Sequence, residues 1–188
     1  MSLIINPFAF GGAGPPVGPV TWSGITGATE SPTGKLTKTA GAGWGNCGAV
    51  SVETMAGDCR LTMYVEDYTV RFICGMGTDA SCSSYNTIDY ADFCNFGVDH
   101  NSYQNGSSGA GFANSGSDFV MIVIERIGSD VNYYKKHYTG SRPLPDDAGR
   151  TNFRGPSTGA TGTFGVNAAL FDTTLGVIDA ANLIWQAI

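Results

Sequence analysis

Short segments in which polar and apolar residues alternate, each cut off by glycine or a polar turn, recur along most of this chain. Arg60-Leu61-Thr62-Met63-Tyr64-Val65 is the clearest. Alternation of period two sends successive side chains to opposite faces of an extended strand. Further segments of this kind cover residues 35–39, 49–53, 68–75, 88–94, 131–135, 168–171 and 181–185. Phe119-Val120-Met121-Ile122-Val123-Ile124 is apolar throughout, which predicts a strand covered on both faces. Roughly ten short strands punctuated by turns predict a sandwich or barrel.

Composition agrees. The chain has 188 residues, 27 of them glycine, a level that interior helices do not tolerate. Ten Phe, eight Tyr and three Trp exclude a disordered chain, which is poor in aromatics. The net charge is −6, and no basic run is longer than Lys135-Lys136, which excludes a phosphate-binding nucleic-acid surface. Only 14% of residues are charged. Such a surface is rich in hydroxyls and amides and suits packing on other protein or contact with neutral sugars. The five cysteines, Cys47, Cys59, Cys74, Cys82 and Cys94, lack CxxC spacing and predict buried thiols rather than a zinc site. The alternative is a disulfide, with Cys74 and Cys82 the closest pair. No segment approaches the ~20 apolar residues of a membrane-spanning helix. The apolar start is too short, and lacks the basic flank, for a secretory leader.

Residues 1–19 differ from the rest. The apolar head contains Leu3, Ile4, Ile5, Pro7, Phe8 and Phe10, and Gly11-Gly12-Ala13-Gly14-Pro15-Pro16 follows it as a linker. An exposed head of this kind predicts docking on a neighbouring subunit. The expected organisation is therefore an extended N-terminal docking arm, 1–19, and a sandwich domain, 20–188.

Several segments carry a family likeness. Val20-Thr21-Trp22, Gly34-Lys35-Leu36-Thr37-Lys38, Trp44 and Gly48-Ala49-Val50-Ser51 resemble the opening of a sandwich domain found in phage tail and fibre proteins. Arg71-Phe72-Ile73-Cys74-Gly75-Met76 and Ile88-Asp89-Tyr90-Ala91 resemble its central strands. Gly128-Ser129-Asp130-Val131-Asn132-Tyr133-Tyr134-Lys135 resembles a hairpin of concanavalin-A-like and SPRY-like sandwiches, except that Lys136-His137 stands where that family has an Asn-Gly turn. The resemblance implies an all-β, antiparallel, two-sheet jelly roll of concanavalin-A-like type, often oligomeric, in a bacteriophage particle. It implies a short tail-fibre or tail-tip protein that meets a host surface glycan, with a capsid decoration protein as the alternative. The partners are then other virion proteins and further copies of the chain.

No catalytic constellation is expected. Glycosidases of this fold place two carboxylates on one strand face. Asp89 and Asp92 are odd-spaced, Glu66 and Asp67 are adjacent, and Asp146 and Asp147 sit in a proline loop. The two histidines, His100 and His137, read as exposed turn residues. Asp99, His100 and Asn101 fall short of a calcium or transition-metal set, so no metal or cofactor is expected. Glycan contact calls for an aromatic platform beside amides, and Trp44, Tyr85 and Tyr103 with Asn101 are the candidates. Residues 101–117 and 142–162 read as loops, and Val177–Asn182 as a short helix.

Deletion of residues 1–12 should leave a soluble, folded sandwich that no longer joins the particle. Aggregation of the truncated chain on size-exclusion chromatography would place the arm in the core instead.

Overall fold

A computed structural model describes residues 19–30, 34–65, 71–82, 84–95, 99–113, 119–139, 149–172, 177–179 and 183–188. The docking residues Leu3, Ile4, Ile5, Pro7, Phe8 and Phe10 lie outside them, as do Glu66, Asp67, Asp146 and Asp147.

The described chain is an antiparallel sandwich of jelly-roll type. The strands run β1 (Trp22–Thr26), β2 (Ala28–Glu30), β3 (Lys35–Lys38), β4 (Gly48–Met55), β5 (Cys59–Val65) and β6 (Arg71–Gly77). They continue with β7 (Tyr90–Asn95), β8 (Asp99–Gln104), β9 (Ser107–Ala113), β10 (Phe119–Ile127) and β11 (Asp130–Tyr138). Last come β12 (Thr151–Ser157), β13 (Phe164–Leu170), β14 (Val177–Asp179) and β15 (Leu183–Ala187). One sheet has the order β1-β4-β13-β6-β7-β8-β9 and the other β12-β11-β10-β5-β15, while β14-β3-β2 forms a small third sheet.

The predicted alternation builds the core. Phe72, Cys74 and Met76 of β6 and Phe164, Val166, Ala168 and Leu170 of β13 point inward. They meet Leu61 and Met63 of β5 and Val120, Ile122 and Ile124 of β10. Each fully buried side chain of this size contributes about 1.5–3 kcal/mol of transfer free energy. Both faces of β10 are buried, as its apolar run requires: Met121 and Val123 pack with Tyr64 on the opposite side. Tyr133, fully buried on β11, donates its hydroxyl to the Tyr103 carbonyl of the facing sheet at 3.1 Å. All five cysteines are buried free thiols, and Cys74 and Cys82 form no disulfide. Burial pushes the Cys59 and Cys82 thiols up to about 11.

Several expectations are corrected. Residues 101–113 form most of a hairpin, β8–β9, around Asn105-Gly106, whose φ values of 46° and 82° are those of a tight Asn-Gly turn. The segment read as a loop over 142–162 contains β12, and Val177–Asp179 is a strand paired with β3, not a helix. Strand β11 runs straight through Lys136-His137 to Tyr138, so no turn falls there. Neither histidine is an exposed turn residue. His137 is half-buried in β11, and His100 lies in β8 with no exposure.

His100 faces inward because it alternates with Asn101. Its Nδ1 meets Asp92 Oδ2 of β7 at 2.8 Å, and both side chains are fully buried. The ring stacks on Phe112 at 5.1 Å. His100 Nε2 and Asp92 Oδ1 have no hydrogen-bond partner. A buried pair of this kind resists loss of one member more than replacement of both, because a lone buried polar group keeps its full desolvation cost. Asp92→Ala should therefore lower the unfolding free energy by about 1–3 kcal/mol. The double replacement Asp92→Leu/His100→Phe should cost clearly less, and urea denaturation of the full mutant cycle measures the difference.

Candidate functional site

The outer face of the seven-stranded sheet carries a second hydrophobic cluster, separate from the main core. It begins with alternation on two neighbouring strands. Asp92 and Cys94 of β7 and His100 and Ser102 of β8 point inward, so Phe93, Asn101 and Tyr103 are left on the outer face. Phe93 stands opposite Asn101, and Ala91 opposite Tyr103. The connection from β6 to β7 adds Tyr85, which begins the one-turn 3-10 segment Tyr85–Thr87, capped by the Ser84 hydroxyl. The connection from β3 to β4 adds Trp44, and Phe171 follows directly on β13.

These rings form a continuous assembly. Trp44 lies 5.6 Å from Tyr85, 5.4 Å from Phe93 and 5.0 Å from Phe171, measured between ring centroids. Tyr103 completes it at 5.8 Å from Tyr85 and 6.4 Å from Phe93. The tilted and edge-on angles are those that aromatic quadrupoles prefer. Trp44, Tyr85, Phe93 and Asn101 are half-buried. Tyr103, expected in an exposed loop, is 5% exposed in a strand and serves as the base of the assembly rather than its surface. Its hydroxyl is pushed up to about 12, first by burial and then by Tyr85. Trp22 and Trp185 belong to the main core.

The structure thus brings Trp44, Tyr85, Tyr103 and Asn101 to one face. It adds Phe93 and Phe171, which composition and local context did not single out. The odd spacing of Phe93 from Asp92 and Cys94 was the available signal. Asn86, exposed beside Tyr85, lies over the Asn105-Gly106 turn: a Cβ on Gly106 would meet its Oδ1 at 3.2 Å.

Lys38 holds Trp44 in place. It is a lysine with 2% exposure. Its Nζ donates to the Asn46 Oδ1 at 2.7 Å, the Leu170 carbonyl at 2.8 Å and the Gly43 carbonyl. Three acceptors on both sides of Trp44 tie the 40–46 loop to the end of β13, and Gly43 N donates to Phe171 O. Burial holds the lysine below its ordinary range, against the opposing pull of Cys47 and Asp172. Beside it, Arg71 lies flat on the Phe171 ring at 3.7 Å and pairs with Asp172 at 2.7 Å. The hydrogen bond from Arg71 holds the Asp172 carboxyl below the usual carboxylate range. The charges at this end of the site are paired.

Of the acids considered for catalysis, Asp89 and Asp92 are among the described residues, and both are otherwise engaged. Asp92 is buried between the sheets, and Asp89 Oδ2 accepts from the Thr78 amide at 2.7 Å and its hydroxyl at 2.9 Å. Among the described residues no group of three His, Cys, Asp or Glu side chains is placed to hold a metal ion. Asp99, His100 and Asn101 diverge, His100 inward and Asn101 outward.

Lys38→Met removes three hydrogen bonds and releases the Trp44 loop. The expected result is a loss of about 1.5–3 kcal/mol in stability, the range for bonds to a charged group, and a red-shifted tryptophan emission. Unchanged emission would show that the loop holds its place without the lysine.

No protein-family model matches this sequence, and no curated protein is similar to it. Solved structures are similar in fold. The exoplasmic/lumenal domain of VIP36, in its Ca2+/Man3GlcNAc-bound form, superposes with a TM-score of 0.54 at 9% identity, over 88% of this chain and 82% of that one. The Ca2+-bound form of the same domain gives 0.49 at 10% identity, over 88% and 79%. The likeness is one of architecture: this chain has the concanavalin-A-like, lectin-like jelly roll that the family resemblance implies.

Proposed function

We propose that this domain is a non-enzymatic glycan-binding module whose ligand stacks on the Trp44–Tyr85 rings. The observation that carries the proposal is the ring assembly itself. Five aromatic side chains gather outside the main core, on the outer face of a sheet, and a buried lysine fixes the most exposed loop among them. A sugar fits such a surface, because its C–H face packs on an aromatic ring while its hydroxyls reach nearby amides, here Asn86 and Asn101. A structure of similar fold contains Man3GlcNAc. The contact proposed for this chain is through rings and amides.

The setting proposed is the surface of a bacteriophage particle, in a short tail fibre or tail tip, with the N-terminal arm docked on another virion protein. It is supported by the resemblance of the early tryptophan and G-x-L-x-K strand to phage fibre domains. Many copies on one particle turn weak single contacts into firm attachment.

A glycan array probed with the purified domain, followed by titration of the hits, tests the binding. Trp44→Ala should weaken the best hit at least tenfold, about 1.4 kcal/mol. Binding should also shift tryptophan emission, since Trp22 and Trp185 are 5% and 2% exposed and Trp44 alone of the three lies at the surface. Full affinity in Trp44→Ala would overturn the site.

A further inference from the structure

The outer face of the seven-stranded sheet carries a second concavity, and we infer that it is a second saccharide subsite, taking a neutral sugar unit of the same chain that stacks on Trp44. This rests on the glycan-binding reading above and extends it to the length and charge of the ligand.

The groove has a volume of about 360 Å3, within the ~300–1,000 Å3 of small-ligand sites. Its floor is low, because Gly77 of β6 and Gly165 of β13 face each other across the ladder, with the Asn167 amide and the Ser51 hydroxyl packed beside them. One flank is aliphatic. Val50 and Val52 of β4 line it, and Val52 is 60% exposed, one of few large apolar side chains so placed among the described residues. The rim is hydroxylic, with Ser23, Thr54, Thr78 and Thr163. Ser23 Oγ donates to the Val50 carbonyl at 3.2 Å, which leaves its lone pairs free to accept from a ligand. A pyranose matches this lining: C–H groups against the valines and hydroxyls against the rim.

Charge selects among sugars. The acid in the lining is Asp79, whose Oδ1 accepts from the Ser81 amide at 2.9 Å and its hydroxyl at 3.0 Å. Burial pushes its carboxyl up, but the hydrogen bonds from Ser81 and Thr87 outweigh that and hold it below the usual range. Among the described residues the lining contains this carboxylate and no lysine or arginine. A uronic or sialic acid placed there would meet an ionised carboxylate with nothing to offset it.

Two features join the groove to the ring assembly. The connection from β6 to β7 supplies Asp79 and Ala80 to the groove and Tyr85 to the rings. Val50 lines the groove and also packs in the hydrophobic cluster that holds Tyr103, Trp44 and Phe93. The groove therefore adjoins the ring assembly through Val50 and this connection, and the ligand is a neutral chain of several units that spans both rather than a single terminal sugar.

The test is calorimetric titration of the domain with neutral malto-, cello- and manno-oligosaccharides, from single sugars to hexamers, and with oligogalacturonates. In at least one neutral series the affinity should rise about tenfold or more with chain length, and the oligogalacturonates should not bind. Val52→Tyr and Thr54→Tyr, both at exposed positions, fill the groove and should abolish the gain with length. Thermal melts report whether each variant is folded, and either folded variant decides the matter. A wild-type domain with no gain, or a gain that survives both substitutions, overturns the subsite while the Trp44 site stands. If no sugar in any neutral series binds the wild-type domain, the subsite and the glycan reading fall together.

Discussion

Every feature of the outer face follows from the packing of the inner one. β6, β7, β8 and β13 each commit alternate residues to the space between the sheets, and burial there dominates the stability of the fold. That commitment leaves the intervening residues no choice of direction. Once Met76 and Val166 face the core, Gly75, Gly77, Gly165 and Asn167 must face away from it. Once Cys94 and Ser102 face the core, Phe93 and Tyr103 must join the outer cluster. A slip of one residue would send the rings into the interior and the core residues into water. The register that secures the core therefore also places the candidate binding surface.

The interior contains more polar chemistry than an all-apolar core needs. Asp92 and His100 are paired without exposure. Arg154 reaches from β12 to Ser102 and Gln104 of the other sheet, both at 2.9 Å. Tyr133 crosses to Tyr103. These contacts join the β8 side of one sheet to the β11–β12 side of the other by directional bonds, which set one alignment of the sheets where apolar packing alone tolerates several. The glycine at 109 belongs to the same arrangement, since a Cβ there would collide with the Arg154 guanidinium.

The outer face is shaped by what it lacks as much as by what it holds. Gly75 and Gly77 give β6 no side chains on this face beyond Ile73, and Gly165 does the same for part of β13. The loops then fold down onto the sheet: a Cβ on Gly48 would strike the Cys82 carbonyl at 2.2 Å. The connection from β6 to β7 thus lies directly on the backbone of β4 and divides the face into a ring assembly and a groove. Lys38 performs the corresponding task for the 40–46 loop, trading its hydration for three well-placed acceptors.

Alternation, glycine punctuation and aromatic content were enough to determine an all-β sandwich or barrel, the doubly buried β10 and the burial of the cysteines, because those depend on local periodicity and on volume, while the choice between free thiols and a Cys74–Cys82 disulfide was left to the structure. The Asn105-Gly106 hairpin was read as a loop because of the glycine and serine around it, although an Asn-Gly pair is itself a hairpin signal. The glycan candidates Trp44, Tyr85, Tyr103 and Asn101 were legible as residue types beside amides, one by one. Their meeting on one face was not, since they come from two connections and one strand whose proximity exists only after β6, β7, β8 and β13 have paired. The burial of His100 and the role of Lys38 were likewise decided by tertiary structure. A histidine beside an aspartate, or a lysine in an alternating strand, looks solvated in sequence, and only the packing of the second sheet, and of the loop after β3 against the distant end of β13, removes the water.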